Sequence, residues 1–232
     1  MNMAQSLTAA QIQALAALDS SLVSNAIEQF NVRLRNEGFC DSSIRCLTPA
    51  LPQICGFAVT VKMRTSVPPT VGRSFHDRTD LWQRVLATPA PRIVAIQDID
   101  ARPGFGAIIG EIHANIFRAL GCLGCVTNGA MRNLRQAEEM GFQMFGSGTS
   151  ASHAFAHVVS FGEPVELGRL LIKPGDLLHA DCHGVVNVPL EIAPRIPAMA
   201  QTLAKNREEI VRYCRSKEFS IDGLRQMVER LG

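Results

Sequence analysis

At 232 residues with 47% hydrophobic content, the chain is long enough for one large α/β domain, and no Pro/Gly/Ser-rich linker divides it. A formal net charge of +2 with interspersed signs leaves no basic stripe, so direct nucleic-acid binding is not expected. The apolar runs are too short for a membrane span, the N-terminus lacks the basic and apolar regions of a signal peptide, and seven cysteines fit reduced thiols better than a disulfide framework; a cytoplasmic protein is expected.

Leu7 to Phe30 carries apolar residues at helical spacing, with Thr8 as a cap and Asp19-Ser20-Ser21 as a break that recaps a second helix from Leu22 to Phe30. Ile54 to Met63 shows β-branched alternation and predicts a strand, which Val67-Pro68-Pro69 brings to an end. The loop from Arg64 to Thr79 is expected to be mobile. Asp80 to Ala87 predicts a helix. Arg92 to Ile96 predicts a buried strand leading to Gln97-Asp98-Ile99-Asp100, polar residues at the strand end where α/β sheets commonly bind ligands. A glycine-rich loop, Gly104 to Gly110, then runs into a helix from Glu111 to Leu120 that Gly121 stops. Cys122 to Thr127 predicts a short buried strand, Asn128-Gly129 a turn, Leu134 to Met140 a helix and Phe142 to Phe145 a strand. This order argues a parallel sheet with right-handed crossovers.

From His157 to Val188 the pattern changes to short alternating runs broken by Gly and Pro pairs, which predicts hairpins. Ile192 to Lys217 predicts one long amphipathic helix bent at Pro194 and Pro197, and Ile221 to Leu231 a second. The expected layout is a single domain over 1–232, with N-terminal helices in 1–30, an α/β core over 54–190 and C-terminal helices over 192–232.

The candidate chemistry lies between Gly110 and Asn133. The first turn of the helix at Glu111, Ile112 and His113 presents backbone N–H groups that suit an anion. Arg132, delivered by the Asn128-Gly129 turn, would grip a carboxylate bidentately. Glu111 at the helix start is explained equally by the helix dipole or by catalysis, and His113 by packing or by substrate contact. Cys122 and Cys125, three apart in a strand, are expected on opposite faces as inert thiols. His153 and His157 are four apart, but a strand begins at His157, so no metal is assigned to them. Asp181 before the Cys182-His183-Gly184 turn is expected to cap it.

Together, Gly110-Glu111, Gly121-x-x-Gly124-x-Val126, Gly129-x-x-Arg132, Pro174-Gly175-Asp176-Leu177-Leu178 and Asp181-x-x-Gly184-Val185-Val186 resemble the family of 4-hydroxy-4-methyl-2-oxoglutarate/4-carboxy-4-hydroxy-2-oxoadipate aldolases and regulator-of-ribonuclease-activity-A proteins. The resemblance runs from about Leu15 to the C-terminal helix. It implies a swivelling β/β/α fold with a mixed sheet, assembly into trimers or hexamers, and a lyase that acts on 2-oxo acids with Mg²⁺ or Mn²⁺. It also implies that Arg132 holds the pyruvoyl group, that Glu111 organises water beside the metal, and that an acid such as Glu208 or Glu209 reaches the site from a neighbouring subunit. The chain departs from the aldolases at the metal ligand, where Asn133 replaces an aspartate, and at Gln136, where an acid is common.

Two functions follow as expectations. The first is a divalent-metal lyase releasing pyruvate by retro-aldol cleavage or oxaloacetate decarboxylation, weakened by Asn133. The second is a non-catalytic oligomeric regulator or small-carboxylate-binding protein on the same scaffold.

Overall fold

The computed structural model describes residues 7–70 and 78–231. Residues 71–77, within the loop expected to be mobile, lie outside the described residues.

The chain opens with helices α1 (Ala9–Ala16) and α2 (Ser20–Glu28). Thr8 caps α1 in a reciprocal box with Gln11, and Asp19 caps α2 by accepting from the Leu22 N–H at 2.7 Å. Then follow β1 (Arg45–Cys46), β2 (Ile54–Arg64), α3 (Thr79–Ala87), β3 (Arg92–Asp98), β4 (Ala107–Ile109), α4 (Glu111–Ala119), β5 (Cys122–Thr127), β6 (Ala130–Met131), α5 (Leu134–Glu139), β7 (Gln143–Gly146) and β8 (Gly148–Thr149). The last part holds β9 (His157–Phe161), β10 (Val165–Leu167), β11 (Leu170–Ile172), β12 (Leu177–Asp181), β13 (Gly184–Val188), α6 (Ile196–Cys214) and α7 (Ile221–Leu231).

The main sheet is mixed, in the order β1-β7-β5-β3-β2-β12-β13, with β9 also on β2. Its centre is parallel: β2, β3, β5 and β7 join through crossovers that carry α3, α4 and α5. Alternation along β3 shows why both faces are covered. Val94 and Ile96 pack with Leu81 and Val85 of α3 and Phe117 of α4, while Ile93 and Ala95 pack with Val165, Leu167 and Ile172 of the β10–β11 hairpin. Hairpin, sheet and helices thus form three layers. A third cluster joins α1, α2 and the start of α6 to Leu177, Val186 and Val188 on the β12–β13 edge. Among the described residues no helix is long and apolar enough to cross a membrane.

Four expectations need correction. Cys122 and Cys125 share one face, in the same cluster as Phe117, because β5 bulges at Leu123: Arg92 pairs with Cys122 but Ile93 with Gly124, and the extra residue inverts the alternation. Burial pushes the Cys122 thiol up to about 12 and that of Cys125 well above the usual thiol range, which keeps both protonated. The glycine-rich segment is not all loop, since Ala107–Ile109 forms β4 in a second, parallel sheet with β6 and β8. The stretch from His157 is not all hairpins, because β9 pairs antiparallel with β2. Finally, Pro194 and Pro197 do not bend a long helix: a 3-10 turn at Ala193–Arg195 precedes α6, and Pro197 falls in its first turn, where its missing N–H costs nothing.

Candidate active site

The small sheet positions the site. β4 leads directly into α4, and β6 leads into Arg132 and Asn133. Parallel pairing of Met131 with Ile109 brings the two exits side by side, and the Arg132 N–H donates to the Ile109 carbonyl at 3.0 Å. On the other side of β6, Ser150 N–H donates to Met131 O at 3.1 Å, so the backbone around Arg132 is held from both flanks.

Gly110 sits where these exits meet. A Cβ there would lie 3.0 Å from Arg132 Nε and 3.0 Å from Asn133 Oδ1. Glycine lets the two side chains close over the start of α4. As the residue before the helix it supplies no side-chain cap, so the first-turn N–H groups are left for other acceptors. One acceptor is Asn133 Oδ1, 3.4 Å from the Glu111 N–H, which is long for such a bond. Asn133 itself is left-handed at φ 59, ψ 41, a conformation that suits asparagine and aspartate alike, so its amide is not imposed by the backbone.

Arg132, Asn133, Glu111, Ile112 and His113 all line one cavity of about 850 Å³. Its other walls are Ala107 and Ile108 of β4, Pro69, and the strap 151–157 that enters β9. Arg132 Nη1 reaches the Ala151 carbonyl on that strap at 3.4 Å. The arrangement offers a guanidinium fork, helix N–H groups, an exposed carboxylate and an amide oxygen around one space. It suits a small carboxylate with further oxygen functions.

Other candidates lie elsewhere. Asp98 and Asp100 at the end of β3 face loops and do not line the cavity. Asp98 accepts from the Gly104 N–H at 2.9 Å, and Asp100 accepts from the Thr65 and Ser66 N–H groups at 2.7 and 2.8 Å. Burial pushes the Asp98 carboxyl up; at Asp100 burial acts the same way, but the Thr65 and Ser66 donors outweigh it and hold the group low. Gln136 is on α5, away from the cavity lining. Glu208 and Glu209 lie on α6: Glu209 pairs with Arg230 of α7, while Glu208 borders a shallow groove with Arg207 and Val211. Asp181, Cys182 and His183 bring three ligand-type atoms together, but Ser20 and His183 already donate to both Asp181 oxygens.

His153, His157 and the rest of the strap are cavity walls that helical ligand spacing does not reveal. The signal in the sequence is their position between two strand runs, in a connection that must cross the end of the small sheet.

Residues 20–187 match the family model described as RraA-like: Aldolase/RraA. A provisionally assigned 4-hydroxy-4-methyl-2-oxoglutarate aldolase of Halalkalibacterium halodurans is 32% identical over 153 residues, covering 62% of this chain and 71% of that protein. Among solved structures, Streptomyces coelicolor RraAS2, an unusual member of the RNase ES inhibitor RraA protein family, superposes with TM-score 0.69 at 21% identity, covering 90% of this chain and 98% of that one. An uncharacterized protein of Pseudomonas syringae pv. tomato gives TM-score 0.72 at 18% identity, covering 95% and 94%. These two likenesses speak for the shared fold. With the family model matching residues 20–187, a span that includes the candidate site, the chain belongs to the Aldolase/RraA family.

Proposed function

We propose that the protein is a lyase that binds a 2-oxo acid in this cavity and releases pyruvate. The observation that carries the reading is the meeting of Arg132, Asn133 Oδ1 and the start of α4 across Gly110. Arg132 and the backbone N–H groups of Glu111, Ile112 and His113 hold the substrate carboxylate. Glu111, exposed at the rim, exchanges protons with the reacting carbons through water.

The family resemblance implies Mg²⁺ or Mn²⁺, and the donor set can be tested against it. Asn133 Oδ1 and the Glu111 carboxylate are hard oxygen donors, and the absent Cβ at Gly110 leaves the amide oxygen reachable. They fit a hard divalent ion, but with a neutral ligand in place of an acid. One lost unit charge at about 4 Å in an effective dielectric near 20 costs at most ~4 kcal/mol, and solvent screening at this open corner reduces that to about tenfold or more in affinity. When bound, such an ion would supply Lewis acidity toward the 2-oxo group.

Assembly into trimers or hexamers belongs to the same proposal. The α6–α7 pair exposes Val211, Phe219, Ile221 and Val228, an apolar surface that suits a neighbouring copy. With Glu209 engaged by Arg230, Glu208 is the better candidate to reach a neighbour's site.

The test is pyruvate release from 4-hydroxy-4-methyl-2-oxoglutarate and from oxaloacetate, with Mg²⁺, Mn²⁺ or chelator. Metal-dependent turnover lost in Arg132→Ala supports the lyase. Asn133 favours a second reading, a small-carboxylate-binding regulator, for which ligand binding indifferent to chelator and without turnover is the expected result.

A further inference from the structure

Resting on the reading of this cavity as a 2-oxo acid site, we infer that Thr65 is a positioning residue for it. Buried behind the strap 151–157, Thr65 sets how closely that strap stands over the part of the substrate beyond its 2-oxo carboxylate. Residues 151 and 153–157 of the strap line the cavity, which at about 850 Å³ has room for far more than a pyruvoyl group. Arg132, Asn133 and the start of α4 supply the carboxylate end, so the strap is the wall that meets the remainder of the ligand.

The strap does not hold its shape alone. Ala154 stands at φ 47, in the left-handed region that disfavours an alanine and persists only where the surroundings hold it. One hold is local: Ser152 Oγ accepts from the Ala154 N–H at 3.0 Å. The others reach back to the sheets. The Ala107 N–H donates to the Ser152 carbonyl at 2.7 Å, and the Phe155 N–H donates to the Thr65 carbonyl at 3.0 Å. Between these two clamps the strap lies directly on the glycine-rich segment, where a Cβ on Gly106 would come within 2.8 Å of the His153 carbonyl oxygen and 2.9 Å of Ala154 Cβ.

Thr65 joins this assembly to the rigid frame. It follows β2, is fully buried and is not itself part of the cavity wall. Its N–H donates to Asp100 Oδ2 at 2.7 Å and its hydroxyl donates to the same oxygen at 3.2 Å, while the hydroxyl oxygen accepts from the Gly106 N–H at 3.2 Å. One side chain thus ties the glycine-rich segment to Asp100, and the carbonyl of the same residue holds the strap. Valine has a similar shape but can neither accept from the Gly106 N–H nor donate to Asp100, so the segment and the strap resting on it are loosened together. Serine keeps both bonds. A displaced wall changes the fit of the groups that touch it and leaves the carboxylate grip at Arg132 in place.

The experiment is calorimetric titration of the full chain and of its Thr65→Val, Thr65→Ser and Ser152→Ala variants with two ligands, alongside the melting point of each protein. The ligands are pyruvate and 2-oxoglutarate, which adds a longer chain to the same 2-oxo carboxylate. The natural chain should bind 2-oxoglutarate the more tightly of the two. Thr65→Val should weaken 2-oxoglutarate about tenfold or more while pyruvate changes by less than about twofold, and Thr65→Ser should stay close to the natural chain. Ser152→Ala, at an exposed position, should show the same selective loss at about threefold, and it decides the matter if Thr65→Val does not fold. A loss shared equally by both ligands, or by neither, in the folded variant overturns the inference and leaves the lyase reading standing. So does a natural chain that binds 2-oxoglutarate no more tightly than pyruvate. A natural chain that binds neither ligand overturns the two together.

Discussion

Two polar clusters stand beyond the strand ends of this protein, and they are built in opposite ways. Around Asp98 and Asp100 each carboxylate is spent on backbone donors at 2.7 to 3.1 Å, which staples the loops after β2 and β3 together. Around Gly110 the contacts are long, 3.4 Å from Asn133 Oδ1 to the Glu111 N–H and 3.4 Å from Arg132 Nη1 to the Ala151 carbonyl. Saturated polar groups have little to offer a ligand, whereas loosely engaged ones do. The acids at a strand end where α/β sheets commonly bind ligands are therefore architectural, and the corner with fewer acids is the candidate site.

The largest effect that would sharpen this contrast is at Arg132. Arg132→Ala should lower turnover or ligand affinity by about a hundredfold or more, through loss of a bidentate charged contact worth ~3 kcal/mol, while the thermal melting point stays close to that of the natural chain. A melting point that falls as steeply as the affinity would place Arg132 with the staples instead.

Asp181 offers the opposite case. Asp181→Ala removes the acceptor for the Ser20 N–H, the Ser20 hydroxyl and the His183 N–H, and should cost about 3 kcal/mol in denaturant unfolding with ligand affinity unchanged. The same group sets a pH dependence. Burial would raise its pKa, but the donors from Ser20 and His183 prevail and hold it below the usual carboxylate range. A depressed carboxylate stabilises the fold fully above the unfolded value of about 3.9, and that share is lost as pH falls through the lower folded value. Unfolding measured below about pH 4 should thus steepen for the natural chain relative to Asp181→Asn.

Smaller effects probe the open corner itself. Gly110→Ala should keep the fold within about 1 kcal/mol, because the clashing atoms belong to side chains that can swing away, yet weaken carboxylate binding about tenfold by displacing them. Asn133→Asp fits the existing left-handed backbone and should tighten Mn²⁺ binding by about tenfold or more in a direct titration. No gain from the added charge would count against a metal at this corner.

The comparison also explains what could be read from the sequence. Helices α3, α4 and α5 and strands β3, β5 and β7 follow from local apolar spacing and from the glycine stop at Gly121, and with them comes the parallel centre of the sheet. The candidate residues Arg132, Glu111, Ile112, His113 and Asn133 are also legible in the sequence, and all five line one cavity. Strands β4, β6 and β8, of two or three residues each, were not foreseen, since runs that short carry no period and exist only through their pairing. The bulge at Leu123 likewise belongs to the β3 register and not to β5 alone. Whether Asp98 is a ligand or a brace depended on a loop six residues away folding back to meet it.

The central claim is that the Gly110 corner holds a 2-oxo carboxylate through Arg132, and its most direct test is the dissociation constant of pyruvate for the natural chain and for Arg132→Lys, side by side with circular dichroism of both. Lysine keeps the charge and loses the planar fork, so the account predicts a folded variant that binds about tenfold or more weakly. A folded Arg132→Lys protein with unchanged affinity, or a natural chain that does not bind pyruvate at all, would contradict it.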